Sequence, residues 1–153
     1  MLIMARDRDY GELLRNVKGK NVYVWTCNTC ARLCYGVGGK DSAERLARRL
    51  AEDGTNVTGT GSTSASCIGA SVRRTTVPGD TDVIISLTCD IGAACARKVF
   101  GKKTLNPIIT FGPGLICEER GPVLVSVGPD GTVTEKRLTD ICGRTSPDAM
   151  PFV

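Results

Sequence analysis

The chain has 153 residues, 20 of them basic and 16 acidic, giving a formal charge of +4, and it has no histidine. That length suits one domain with a real core. The charge is too mild to argue for nucleic acid as a partner, and with 5% aromatic residues the chain is poor in base-stacking platforms. The lack of histidine removes imidazole acid–base catalysis, histidine-activated nucleophiles, histidine-bearing zinc sites and Rieske centres.

No apolar run approaches the roughly 20 residues a membrane span needs. Residues 1–8 carry no signal-peptide apolar region, so the expected location is cytoplasmic. Eight cysteines in that setting are then unexpected as structural disulfides. Metal ligation or redox chemistry becomes the leading account of at least some of them.

In chain order, residues 1–20 read as an amphipathic lead-in helix, with Leu13, Leu14 and Val17 at helical spacing and Gly19 ending the pattern. Asn21 to Thr26 is apolar almost throughout, as a strand buried on both faces should be. Asp41 opens the best helix of the sequence. Asp41 and Glu44 stand at capping-box spacing, Ala43, Leu46, Ala47 and Leu50 form the apolar stripe, and Gly54 stands where a C-terminal glycine belongs. Asn56 to Thr60 is a weaker strand, Val83 to Thr88 a strong one, and Ile91 to Phe100 an Ala-rich helix stopped by Gly101. Pro107 to Phe111 reads as a fourth strand. Val123 to Val127 and Thr132 to Leu138 flank Gly128-Pro129-Asp130-Gly131, a strong hairpin signal. Cys142 to Val153 is a proline-containing tail.

This rhythm predicts a single α/β domain over residues 1–153: a three-layer parallel sheet with helical crossovers plus a C-terminal β-hairpin. Within it, 1–20 is the lead-in helix, 21–116 the cysteine-bearing core, and 117–153 the hairpin and tail.

The chemistry centres on Cys27-Asn28-Thr29-Cys30-Ala31-Arg32-Leu33-Cys34, which puts three cysteines at C-x-x-C-x-x-x-C spacing after the first strand. A C-x-x-C loop can aim two thiolates at one centre, and soft thiolates select zinc or iron–sulfur clusters. Cys67 lies in the loop after the second strand and Cys89 ends the strand at 83–88. In parallel sheets, sites form beyond the carboxyl ends of the strands, so three segments deliver cysteine to the same edge. Five cysteines, Cys27, Cys30, Cys34, Cys67 and Cys89, thus compete for about four positions on one [4Fe–4S] cluster, and spacing does not say which is spare. Zinc is the alternative metal, although only one of the two C-x-x-C pairs usual in structural zinc sites is present. A dithiol pair of Cys27 and Cys30 is a further alternative. Cys95 reads as packing, and Cys117 and Cys142 carry no pairing motif.

Two glycine-rich segments fail as phosphate loops. In Gly36-Val37-Gly38-Gly39-Lys40-Asp41-Ser42, Cys34 stands where a P-loop needs its first glycine and Asp41 where it needs Ser or Thr. Gly59-Thr60-Gly61-Ser62-Thr63-Ser64 supplies only the first two glycines of a dinucleotide fingerprint. The hydroxyls of Ser62 to Ser66 and helix N-terminal amides are candidates to hydrogen-bond cluster sulfurs.

The run Cys27 to Cys34 followed by Gly38-Gly39, then Ala65-Ser66-Cys67, then Leu87-Thr88-Cys89-Asp90-Ile91-Gly92, resembles the methylenetetrahydrofolate reductase C-terminal-like domain over roughly residues 20–116. That family is the small iron–sulfur subunit, of MetV type, that accompanies a catalytic flavoprotein. The resemblance implies an electron-transferring α/β domain with a flavin-containing methylenetetrahydrofolate reductase subunit, or a similar redox partner, beside it. The expected function is therefore a non-catalytic iron–sulfur accessory subunit of an oxidoreductase complex, with a zinc-stabilised assembly module or a thiol oxidoreductase as alternatives.

Overall fold

The structure, a computed structural model, describes residues 1–6 and 9–142, with only the backbone of Arg6. The tail expected over 142–153 therefore lies outside the described residues beyond Cys142. Among the described residues the fold is mixed α/β, with eight strands in two four-stranded sheets and six helices.

The first sheet is wholly parallel. It contains β2 (Asn21–Cys27), β3 (Asn56–Thr63), β4 (Val83–Leu87) and β5 (Lys103–Leu105), ordered β3-β2-β4-β5. From β2 the chain crosses through α3 (Lys40–Glu52) to β3 on one side. It then returns past the short α4 (Gly69–Val72) to β4 on the other side, and α5 (Asp90–Phe100) leads to β5. Strand order thus reverses between β2 and β4. Their side chains alternate between two cores. Val22, Val24, Ile85 and Leu87 pack with Leu46 and Leu50 of α3. Tyr23, Trp25 and Ile84 pack with Val72 and with Ala96 of α5, and Phe100 meets the Trp25 ring edge-on at 5.1 Å. Both faces being covered explains why β2 and β4 read as continuous apolar runs.

The second sheet is antiparallel, and here the expectation of one parallel sheet plus a hairpin is corrected. Its strands are β1 (Leu2–Arg6), β6 (Ile108–Cys117), β7 (Gly121–Val127) and β8 (Val133–Arg137), in the order β1-β6-β7-β8. The lead-in is therefore a strand followed by α1 (Tyr10–Val17), not one helix. The strand expected at 107–111 belongs to β6 and pairs antiparallel with β1. The fourth parallel strand is the three-residue β5 just before it. The Gly128–Gly131 turn does join β7 to β8, but that hairpin is one edge of the second sheet. Ile3, Met4, Ala5, Ile108 and Leu138, the last opening α6 (Leu138–Cys142), enter the same core as α3, so one hydrophobic cluster joins the two sheets.

Helix ends were partly legible. α3 closes as a Schellman motif, with Thr55 N–H on the Leu50 carbonyl at 2.8 Å, Gly54 N–H on Ala51 at 3.0 Å, and Gly54 at φ 84°. Its start differs from the expected capping box. Gly39 is the N-cap, and Asp41 sits in the first turn, where a carboxylate favours the helix dipole without capping. No helix among the described residues is long and apolar enough to cross a membrane.

Gly38 sits where the loop after β2 crosses β4. A methyl there would run into the Leu87 carbonyl and lie 2.7 Å from the Ala31 methyl and 2.9 Å from Thr26 Oγ1. Gly38→Ala should therefore cost about 1–3 kcal/mol, as overpacking does. Gly79→Ala, which meets nothing within 4 Å, should be neutral. Urea unfolding of the two variants checks the contrast; equal midpoints would contradict it.

Candidate thiol-lined metal site

Cys27 is the last residue of β2, and Cys89 follows the last residue of β4 by two positions. These strands are direct neighbours, with Thr26 opposite Leu87. The pairing of Cys27 with Thr63 on the other side brings the loop after β3, and with it Cys67, to the same edge. Cys30 opens α2 (Cys30–Leu33), a single helical turn following the β2 end. Cys27, Cys30, Cys67 and Cys89 line one cavity of about 430 Å³. It lies at the reversal of strand order, where sheets of this kind form their sites. The remaining lining is largely apolar and includes Met1, Leu2, Ala31 and Ala65.

The loops around it are held by a defined set of hydrogen bonds. Ser66, buried, accepts from Trp25 Nε1 at 2.8 Å and donates to the Gly92 carbonyl at 3.0 Å, tying the Cys67 loop to β2 and to the start of α5. The Ser66 hydroxyl is thus engaged with protein groups, contrary to its expected place among the sulfur-contacting hydroxyls. Thr26 Oγ1 donates to the Leu87 carbonyl at 3.0 Å and accepts from Gly39 N–H at 2.7 Å, locking the loop after α2 across the β2–β4 seam. The Ser64 carbonyl accepts from Cys27 Sγ at 3.3 Å and also from the Thr29 hydroxyl. Loss of the Cys27 proton therefore leaves that carbonyl satisfied.

Cys89 is the N-cap of α5, and its sulfur accepts from Gly92 N–H at 3.3 Å. An 11-residue helix pointing its N-terminus at this sulfur favours a thiolate. Burial nevertheless pushes the Cys89 thiol up, and the neighbouring Cys30, Cys67 and Cys27 sulfurs push it the same way, against the pull of the Gly92 amide. Negative charges gathered on these four sulfurs would oppose one another until a cation joins them. Among the described residues, no three Cys, Asp or Glu side chains are close enough together to hold a single metal ion. The four thiols surround a space rather than converge on a point.

Cys34 is set apart. α2 stops after one turn, Cys34 leaves it at ψ 72°, and Tyr35 follows at φ 50°. This turns the Cys34 sulfur into the core, where it is fully buried and donates to the Leu2 carbonyl at 3.6 Å. Cys95 packs at the margin of the Trp25 cluster and Cys142 at the margin of the larger core. Cys117 ends β6, where a hydrogen bond from the Arg120 side chain holds its thiol below the ordinary range.

Comparison of the chain with protein-family models, with curated proteins and with solved structures returned no match.

Burial raises the Cys34 thiol from an ordinary 9.0 to about 11, partly offset by the Met4 backbone. A raised thiol means the folded chain keeps a proton that the unfolded chain loses. The stabilisation is whole below about pH 9 and lost as pH rises to about 11, on the order of 2–3 kcal/mol in all. Tyr10 also titrates high, at about 12, so the comparison must be between variants. The fall in unfolding free energy from about pH 9 to 11 should be shallower in Cys34→Ala than in the wild type. Parallel profiles would contradict the burial of this thiol.

Proposed function

We propose that the chain is an iron–sulfur accessory subunit of a flavoenzyme complex of the methylenetetrahydrofolate reductase type, holding one [4Fe–4S] cluster on Cys27, Cys30, Cys67 and Cys89. The observation that carries this is the single cavity into which three separate segments bring four cysteines at the reversal of strand order. The donor set fits the group: four soft thiols and no histidine. Among the described residues no three of these side chains stand close enough together for one metal ion, which favours a cluster over a single zinc, whose four sulfurs would lie about 3.8 Å apart at Zn–S bonds of about 2.3 Å. Such a cluster, when bound, supplies one-electron transfer.

The chain's own groups do the rest. At Cys89 the α5 N-terminus and the Gly92 amide offset part of the cost of burying a charged sulfur, a contact that strengthens when the sulfur is charged. Thr29 keeps the Ser64 carbonyl satisfied when Cys27 gives up its proton. Met1, Leu2, Ala31 and Ala65 make the cavity wall apolar, which lowers water access and biases the potential of whatever is held there. Cys67, exposed, marks the side from which electrons can be exchanged with another protein. No substrate chemistry is assigned to the chain itself. The flavin-containing partner follows from the family resemblance, and the four-cysteine site stands without it.

Cys30→Ser, Cys67→Ser and Cys89→Ser should each lose most of their iron and acid-labile sulfide after anaerobic purification, because the thiolate is the ligand. Cys34→Ser and Cys95→Ser should retain both. Full iron and sulfide in the Cys67 and Cys89 variants would sink the assignment.

A further inference from the structure

Nine large apolar side chains are exposed among the described residues, and they fall into two groups. Five lie on the antiparallel sheet. The other four are Met1, which lines the thiol-lined cavity, at 37% exposure, and three residues on the segments that carry its cysteines, Leu33 at 46%, Ile68 at 52% and Ile91 at 58%. Ile68 follows Cys67, Ile91 is two residues beyond Cys89, and Leu33 is three beyond Cys30. Each cysteine-bearing segment thus carries one bulky exposed apolar side chain within three residues of its cysteine. Three coincidences of that kind on the segments that line one cavity mark a contact surface rather than scattered surface hydrophobics.

The charges beside these segments are more basic than acidic. Arg32, Lys40 and Arg45 line a second cavity of about 490 Å³ that shares the Asn28 loop, with Asp41 the one carboxylate in its lining. On the Cys67 side, α4 runs into exposed Arg73 and Arg74, and the Arg73 guanidinium lies against Gly69. Glu44 and Lys40 pair at 3.9 Å and offset each other, and Asp90 accepts from Asn106 at 3.0 Å, which leaves Arg32, Arg45, Arg73 and Arg74 against Asp41 and Asp90.

We infer that Met1, Leu33, Ile68 and Ile91 form the docking face for a redox protein whose own contact surface is apolar at its centre and rich in carboxylates at its margin. A second copy of this chain is a poor occupant, because it would bring the same arginines against this flank. A basic protein is excluded by the same repulsion. The apolar centre supplies contact area, and the flanking cations set orientation and encounter rate. The inference deepens the electron-transfer function proposed above and rests on it for its purpose, but the surface is tested by binding alone.

The test uses the full chain, purified anaerobically, with its iron and sulfide measured first. Two ¹⁵N-labelled probes of similar size are titrated with it: a flavodoxin, a small acidic flavoprotein, and a cytochrome c, a basic haem protein. Their amide shifts give the binding isotherms. The flavodoxin should bind, at least about tenfold more weakly in high salt, and the cytochrome c should not bind. Arg32→Glu with Arg73→Glu should weaken flavodoxin binding about tenfold at low salt, and Ile68→Ser with Ile91→Ser about tenfold at either salt. No flavodoxin binding, equal binding of both probes, wild-type binding by the isoleucine variant, or a stable dimer of this chain in sedimentation would each overturn the docking face. Docking that survives in protein free of iron and sulfide would uphold the surface while sinking the cluster. Full iron and sulfide without docking would do the reverse.

Discussion

The parallel pairing of β2 with β4 is the constraint on which the rest depends. It sets Thr26 beside Leu87, and from that register Cys27 and Cys89 emerge at one edge of the sheet. The right-handed crossovers place α3 on one face and α5 on the other, so the space beyond the two strands is left to loops. Those loops are then fastened to the seam itself: Thr26 bonds both Leu87 and Gly39, and Ser66 bonds both Trp25 and Gly92. The side chains that make the seam also position the cysteines. A change in β2 packing therefore reaches the site directly.

Electrostatics gives that placement its chemical meaning. Two thiolates about 6 Å apart repel by about 3 kcal/mol at an effective dielectric of about 20, and burial makes the charge at Cys89 harder to form. The chain moderates this at Cys89, with the α5 N-terminus and the Gly92 amide. Positive charge placed among the sulfurs, as metal ions provide, would offset the remainder. The raised Cys89 thiol follows from its place in this cavity, buried and beside three other sulfurs.

Much of this was legible in the sequence because it depends on local patterns. The apolar runs at 21–26 and 83–88, the stripe of α3, the glycines at 54 and 101 and the turn at 128–131 each encode a local structure, and each is found. The second sheet was not legible. β1 is five residues long with Ile3, Met4 and Ala5 all buried, so it shows no alternation, and its partner β6 lies more than a hundred residues away. β5, at three residues, is too short to signal itself, and its place in the parallel rhythm was given to the stronger run after Pro107. The cysteine spacing and the strand-end positions point to five cysteines, Cys27, Cys30, Cys34, Cys67 and Cys89, and all but Cys34 share the cavity. Spacing could not separate Cys34 from them. What separates it is a helix that stops after one turn and a left-handed Tyr35, and neither follows from counting residues between cysteines.

The central claim is that four thiols from three segments hold one polynuclear iron–sulfur centre. The most direct measurement is iron, acid-labile sulfide and zinc per chain in protein purified under strict anaerobiosis, read with its visible absorption. The account predicts about four iron and about four sulfide per chain, with a brown colour bleached by reduction. One zinc per chain without sulfide, or a colourless, metal-free protein that takes up no iron and sulfide on reconstitution, would contradict it.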